Sequence, residues 1–177
     1  MYKVICADPP WQYKHKSLNR GGAERHYSTT STAELCNIPV SNVCDDDCIM
    51  FMWATFPCLL DAITLMTAWG FTYKTIGFNW VKTNKNSGTP FWGMGSWTRS
   101  NSEVCLIGTK GKPKRVSRSV HSVIHAPVTR HSAKPPEVLD KIVELCGDVP
   151  RLVMFSRQAV PGWDVFGNEA PDSIEIK

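Results

Sequence analysis

Apolar residues in this chain come in short continuous runs, separated by polar stretches rich in proline and glycine. Val4 to Ala7 and Cys48 to Ala54 (CIMFMWA) are apolar throughout, as expected of strands covered on both faces. Thr72 to Lys82 begins with alternation at Tyr73, Thr75 and Ile76 and continues through Phe78, Trp80 and Val81, again a strand. Glu103 to Thr109 (EVCLIGT), Ser122 to Ala126 and Arg151 to Phe155 (RLVMF) complete the predicted strands. Three helices fall between them. Ser31 or Thr30 caps a short one running to Cys36, and Pro39 ends it. Pro57 starts a second, to about Trp69, with Leu59, Leu60, Ile63, Leu65 and Met66 as its apolar side and Gly70 as its stop. Lys134-Pro135-Pro136-Glu137 opens a third, to Cys146, with Val138, Ile142, Val143 and Leu145 inward and Gly147 at its end. Strands and helices alternate, which predicts an α/β fold: a mainly parallel sheet with helices on both faces. No repeat or boundary divides residues 1–177, so one domain is expected.

Composition narrows this picture. Hydrophobic residues make up 42% and charged residues 20%, which suits a packed globular chain rather than a disordered one. The sequence shows no signal peptide and no apolar run long enough to span a bilayer, so no membrane is expected. Seven cysteines, an odd number without a CxxC pair, fit free thiols in a reducing compartment, the cytoplasm. Cys44 and Cys48 lack a second pair to complete a zinc site, and His121 with His125 read as ordinary histidines, so no metal is expected. The net charge of +4 is modest, but Lys110, Lys112, Lys114, Arg115 and Arg118 crowd one loop with Gly111 and Pro113. Such a loop suits phosphate contact, against the plainer reading of a solvated charge run.

The candidate chemistry starts at Asp8-Pro9-Pro10-Trp11. A carboxylate ends a strand, two prolines stiffen the next turn, and an aromatic follows. Ligands bind outside the carboxyl ends of strands in open α/β sheets. Asp8 and the Pro9 carbonyl can accept the two hydrogens of an exocyclic amine on a planar base, with Trp11 stacked on the ring. The alternative is a proline turn with a packed tryptophan. Two long polar stretches flank this motif in function, Gln12 to Arg25 and Thr83 to Asn101. The second carries Phe91, Trp92 and Trp97, which fit nucleobase stacking or packing onto the core. No G-x-G-x-x-G and no G-x-x-x-x-G-K-[ST] is present, which argues against a nicotinamide cofactor or a P-loop. The remaining polar groups are Lys134 at a helix N-terminus, suited to a carboxylate, and Arg157, Asn168 and Glu169, suited to a ribose and an adenine edge.

These segments together resemble the DPPW-type adenine-N6 methyltransferases, the family of the eukaryotic mRNA adenosine N6-methyltransferase catalytic subunit and of bacterial and phage relatives. The resemblance runs through ADPPW at 7–11, HYSTTSTAELCNIPV at 26–40, MFMWAT at 50–55, WVKTN at 80–84, EVCLIGTKGKP at 103–113, HSAKPPE at 131–137, and FSR with WDVFGNE near the end. It implies a Rossmann-like methyltransferase fold using S-adenosyl-L-methionine, in a permuted order with the catalytic strand before the cofactor-binding strand. It implies catalysis by Asp8, Pro9, Pro10 and Trp11. Tyr27 and Trp97 match aromatics near the target adenosine, and Lys112, Lys114 and Arg115 are the expected nucleic-acid contacts. Asp8, Lys134, Phe155, Ser156, Arg157, Asn168 and Glu169 are the expected cofactor contacts. The chain departs from the family at Val153, where an acid is frequent, at Gln158-Ala159-Val160, where a His-Asn pair is missing, and at Glu169, where glutamine is common. It begins at the catalytic strand, so no upstream strand over the cofactor's adenine is expected.

The expected function is methyl transfer to adenine N6 in nucleic acid, DNA rather than RNA, in a bacterial or phage-infected host cytoplasm. The alternatives are an RNA enzyme, a non-catalytic nucleic-acid-binding subunit on the same fold, and a small-molecule amine methyltransferase. The intact Asp8-Pro9-Pro10-Trp11 favours an enzyme. Small size, with basic residues confined to loops, leads to the expectation of a homodimer.

Overall fold

The computed structural model of the chain describes residues 1–12, 30–129 and 133–177. Tyr27, most of the Gln12 to Arg25 stretch, and His131-Ser132 of the HSAKPPE segment lie outside the described residues.

Among the described residues seven strands form one sheet. They are β1 (Tyr2–Ala7), β2 (Cys44–Ala54), β3 (Thr72–Thr83), β4 (Ser102–Lys110), β5 (Val123–Pro127), β6 (Arg151–Met154) and β7 (Asp164–Phe166), in the order β5-β3-β4-β2-β1-β6-β7. The sheet is mostly parallel: β1 pairs in parallel with β2 and β6, β3 with β5, and β6 with β7. Of these strands β4 alone runs the other way, antiparallel to both β2 and β3. The alternation of strands and helices did not foretell this reversal. No helix separates β3 from β4, and a return without a crossover leaves the next strand antiparallel.

The helices are α1 (Thr32–Cys36), α2 (Leu59–Ala68) and α3 (Glu137–Cys146). Ser31 caps α1 through a reciprocal box: its hydroxyl accepts from the Glu34 N–H, and the Glu34 carboxylate accepts from the Ser31 N–H. Gly70 and Gly147 stop α2 and α3 at φ 86° and 87°, a region open to glycine. α2 is shorter than expected, because Phe56–Cys58 forms a 3-10 turn before it. Leu60 is exposed rather than inward, since Ala62, Leu65 and Met66 define the buried stripe.

The strand pleat divides the core in two. Ile5, Ala7, Met50, Met52, Val104 and Leu106 face α1 and α2 through Leu35, Ala62, Leu65 and Met66. Val4, Cys6, Phe51, Trp53 and Cys105 face α3 through Val138, Ile142 and Cys146. Helices therefore cover both faces. β1 is buried on both, so its carboxyl end opens into the middle of the molecule's upper edge.

Candidate active site

From β1 the chain proceeds to β2 on one side, while β6 leads to β7 on the other. The crevice beyond Ala7 and Met154, which pair in register, is thus the point where the winding reverses, the usual ligand position in such sheets. Asp8 and Phe155 are the first residues past that point.

The Asp8 N–H donates to the Met154 carbonyl at 3.3 Å, which ties the turn to β6. Its carboxylate meets the Lys134 ammonium at 3.1 Å. Lys134 also reaches Glu103 at 3.2 Å, and Glu103 in turn holds Lys82 at 2.5 Å. Four charges from four separate segments so form one chain: Asp8, Lys134, Glu103, Lys82. Trp53 and Trp80 lie beneath it edge to face at 6.4 Å, with Lys134 at 5.7 Å from the Trp53 ring and Lys82 at 4.9 Å from the Trp80 ring. Desolvation raises the Asp8 carboxyl above its ordinary range, outweighing the attraction of Lys134, and Glu103 adds to the rise. Desolvation also weighs most on Glu103, but its two lysines together bring it below the ordinary value. The two carboxylates raise Lys134 against its own desolvation.

Glu103 and Lys82 do not stand out in the sequence. Each sits where an apolar strand meets a loop at the carboxyl side of β1, and a charge at such an edge was the available signal.

The Pro9-Pro10 turn differs from expectation. Its carbonyls are engaged: Pro9 accepts the Trp11 N–H at 2.9 Å, and Pro10 accepts the Thr30 N–H at 3.0 Å. A carbonyl keeps a second lone pair, so Pro9 retains one acceptor site. Trp11 offers no open stacking face. It is buried in the α1–α2 core and its indole N–H donates to the Trp53 carbonyl at 3.0 Å. Burying that large ring with its N–H satisfied makes Trp11 the floor of the turn.

Beyond β6, Phe155 adopts φ 65° and stacks on Trp69, with Phe166 edge-on at 5.9 Å. The Ser156 hydroxyl donates to the Gln158 carbonyl at 2.8 Å, closing the local turn. Gly167 lies so close to the Ser156 carbonyl that a Cβ would overlap it. This contact draws the ends of β6 and β7 together and sets Arg157 facing Glu169 at 3.9 Å, with Asn168 exposed beside them. Arg157 is also among the charges that pull the Asp8 carboxyl down. Asp8, Lys134, Phe155, Ser156, Arg157, Asn168 and Glu169 therefore lie at the same end of the sheet, around the carboxyl ends of β1, β6 and β7.

Trp97 belongs to the loop between β3 and β4 at this same end, and is 99% exposed. Lys112, Lys114 and Arg115 are elsewhere. They follow β4, whose last residue Lys110 pairs with Cys48 near the start of β2, at the opposite end of the sheet from Asp8. There Lys112 and Lys114 line a shallow cleft of about 310 Å³ with Lys3, Asp47 and Val116. They were expected as nucleic-acid contacts, and the structure sets them at the end of the sheet away from Asp8, because β4 carries the chain there.

A carboxylate, facing cations and an aromatic layer at the winding reversal of a mostly parallel sheet define the class: an α/β protein with a charged cluster at the carboxyl ends of its parallel strands. The MT-A70 family model matches residues 2–169, and the chain belongs to that family. It is 36% identical to the Type II methyltransferase M.MunI of Mycoplasma sp over 195 aligned positions, covering 99% of this chain and 81% of that protein. It is 30% identical to the N(6)-adenosine-methyltransferase subunit METTL3 of Danio rerio and to the METTL3 catalytic subunit of Homo sapiens, covering 99% of this chain and 29% of each of those proteins. The relatives are named methyltransferases, and this chain is a methyltransferase of the same family. Among the described residues no helix is long and apolar enough to cross a membrane, and no cluster of side chains has the makings of a metal site.

Proposed function

We propose that this chain, acting as a single Rossmann-like domain with permuted motif order, transfers a methyl group from S-adenosyl-L-methionine to adenine N6 in nucleic acid. One observation carries the reading: a carboxylate and an ammonium 3.1 Å apart at the switch point. Their charges complement the amino and carboxylate groups of a methionyl end, so binding it replaces one internal ion pair by two. Arg157, Asn168 and Glu169 supply donors and acceptors for a ribose and an adenine edge. When bound, the cofactor supplies an electrophilic methyl carbon on a sulfonium. Asp8 accepts a hydrogen of the target amine, which localises the nitrogen lone pair and balances the positive charge that develops there. The raised affinity of Asp8 for a proton suits it to take the one the nitrogen loses. The remaining Pro9 lone pair orients the second hydrogen. Glu103 and Lys82 act through Lys134, holding its ammonium in place.

DNA is the favoured substrate, supported by the Type II methyltransferase relative, of which the chain covers 81%. RNA is the second reading, supported by the adenosine methyltransferase relatives, of which it covers 29%. A base inside a duplex has to be flipped out to reach this crevice. A cytoplasmic setting and a homodimer belong to the same reading. Light scattering that gives a monomer with and without nucleic acid removes the dimer. The function itself is tested by nucleoside analysis of duplex DNA, single-stranded DNA and RNA after incubation with the protein and labelled cofactor. N6-methyladenine is expected, more in DNA than in RNA. Label in no adenine of any substrate overturns the proposal.

A further inference from the structure

The loop between β3 and β4 contains a built arm. Its root is Lys82, whose N–H donates to the Asn101 carbonyl at 2.7 Å and whose carbonyl accepts the Phe91 N–H at 3.0 Å. From Phe91 the chain runs out and returns by Ser100. The two legs touch through glycines: a Cβ on Gly93 would overlap the Ser100 carbonyl, and one on Gly95 the Thr98 carbonyl. The Gly93 N–H donates to the Phe91 carbonyl at 3.2 Å, a tight turn centred on Trp92. With Gly93 and Gly95 turned inward, Trp92 and Met94 face solvent, at 68% and 87% exposure, and Trp97 stands 99% exposed near the tip. The Arg99 guanidinium lies 4.5 Å over the Trp92 ring. Three large apolar side chains held out on a glycine-closed hairpin add nothing to the core, and exposed apolar surface of this kind marks an interaction site.

The charges indicate the partner. From Asn84 to Asn101 there is no acid, only Lys85 and Arg99. Cations beside exposed flat aromatic faces suit a polyanion that carries flat bases. The arm's root is also Lys82, joined to Asp8 by the ion pairs through Glu103 and Lys134. The arm therefore rises from the same end of the sheet as Asp8.

We propose that Trp92 and Met94, backed by Arg99, form a stacking platform for unpaired bases that flank the target adenine, and that this arm holds the strand open while the target occupies the crevice. The proposal rests on the nucleic-acid reading above and extends it to residues which that reading did not use. A base stacks on an aromatic face without regard to sequence.

The test compares a short single-stranded oligodeoxyadenylate with an abasic strand of equal length, by fluorescence anisotropy. Wild-type protein should prefer the base-bearing strand. The double variant Trp92→Ala/Met94→Ala should lose about tenfold of that preference, while its affinity for the abasic strand and for S-adenosyl-L-methionine stays as in wild type. Trp92→Tyr, which keeps an aromatic face, should retain most of the preference. A double variant with the wild-type preference overturns the proposal. So does a wild-type dimer that the double variant turns into a monomer, because the arm is then a seam between two copies. Failure of the proposed function reads out separately, as wild-type protein that places no methyl on any nucleic acid.

Discussion

The two ends of the sheet use charge in opposite ways. At the carboxyl end of β1, Asp8, Lys134, Glu103 and Lys82 come from distant points in the chain and are joined in one network, with Lys134 and Glu103 only 15% and 12% exposed in their side chains. At the amino end, Lys112, Lys114 and Arg115 are neighbours in sequence and stand in solvent beside the Asp45-Asp46-Asp47 run, where the Asp47 carboxylate accepts the Lys112 backbone N–H at 2.7 Å. A partly buried network fixes geometry and shifts proton affinities. A solvated cluster does neither, and acts at a distance through a field that salt screens. The basic run that stands out in the sequence is thus remote from Asp8, and the charges joined to Asp8 stand out far less.

The sharpest way to break this contrast is Asp8→Ala. It should lower methyl transfer by about a thousandfold, with cofactor affinity falling less, in a radiolabelled-methyl assay. Turnover near wild type would move the chemistry away from this end. Glu103→Gln comes next. It leaves two desolvated lysines short of their partner and should cost about 3 kcal/mol in a urea melt. The pH dependence sharpens the same point. Glu103 lies below its ordinary 4.5, so its contribution is present above that value and is lost as pH falls through its folded value. Lys134 lies above its ordinary 10.5, so its contribution is full below that value and is lost as pH rises through its folded value. Asp8, raised by burial, opposes folding as it ionises above its ordinary 3.8, which softens the acid limb. Glu103→Gln should flatten the acid limb of stability, and an unchanged limb would remove Glu103 from the network's energetics.

At the other end, reversing Lys112, Lys114 and Arg115 to glutamate should reduce nucleic-acid affinity about tenfold at moderate salt. The salt slope should drop by about one unit for each phosphate that the loop no longer neutralises. We propose that these residues touch the strand beyond the target base, so the effect should fall on KM. An unaltered slope would make the loop plain solvation. The smallest effect is expected from Glu169→Ala. Its pair with Arg157 is exposed on both sides, so stability should change by under about 1 kcal/mol in the same melt. A larger change would mean that the β6–β7 junction depends on that pair.

Much of the fold could be read from residue order because apolar runs and helix stops are local signals. Gly70 and Gly147 end helices where only a glycine fits easily, and the burial on both faces of Val4 to Ala7 in β1 and Cys48 to Ala54 in β2 follows from those unbroken apolar runs. The crevice was legible through Asp8 and Lys134, as both sit at element ends. What escaped depends on direction and distance. The reversal of β4 follows from a missing crossover. The burial of Trp11 goes with a hydrogen bond to Trp53, forty-two residues on. The remoteness of Lys112 follows from β4 carrying the chain down the sheet. Leu60 went astray for a smaller reason: it stands beside the buried stripe of α2, and periodicity alone did not say which side faced the sheet.

The pairing of β1 with β6 has a consequence for how the molecule comes into being. Ala7 and Met154 stand side by side, yet most of the chain lies between them. A ribosome releases the acid of the crevice well before its opposite wall. Until the later strand arrives, β1 has one empty flank, and the nascent chain carries the Asp8 carboxylate without the strand to which its backbone N–H bonds. Partners so far apart in sequence slow the search for the native pairing and lengthen the time that an apolar strand edge stands open. In that interval the cysteine-bearing, strand-forming segments of the growing chain are the ones most open to pairing with one another.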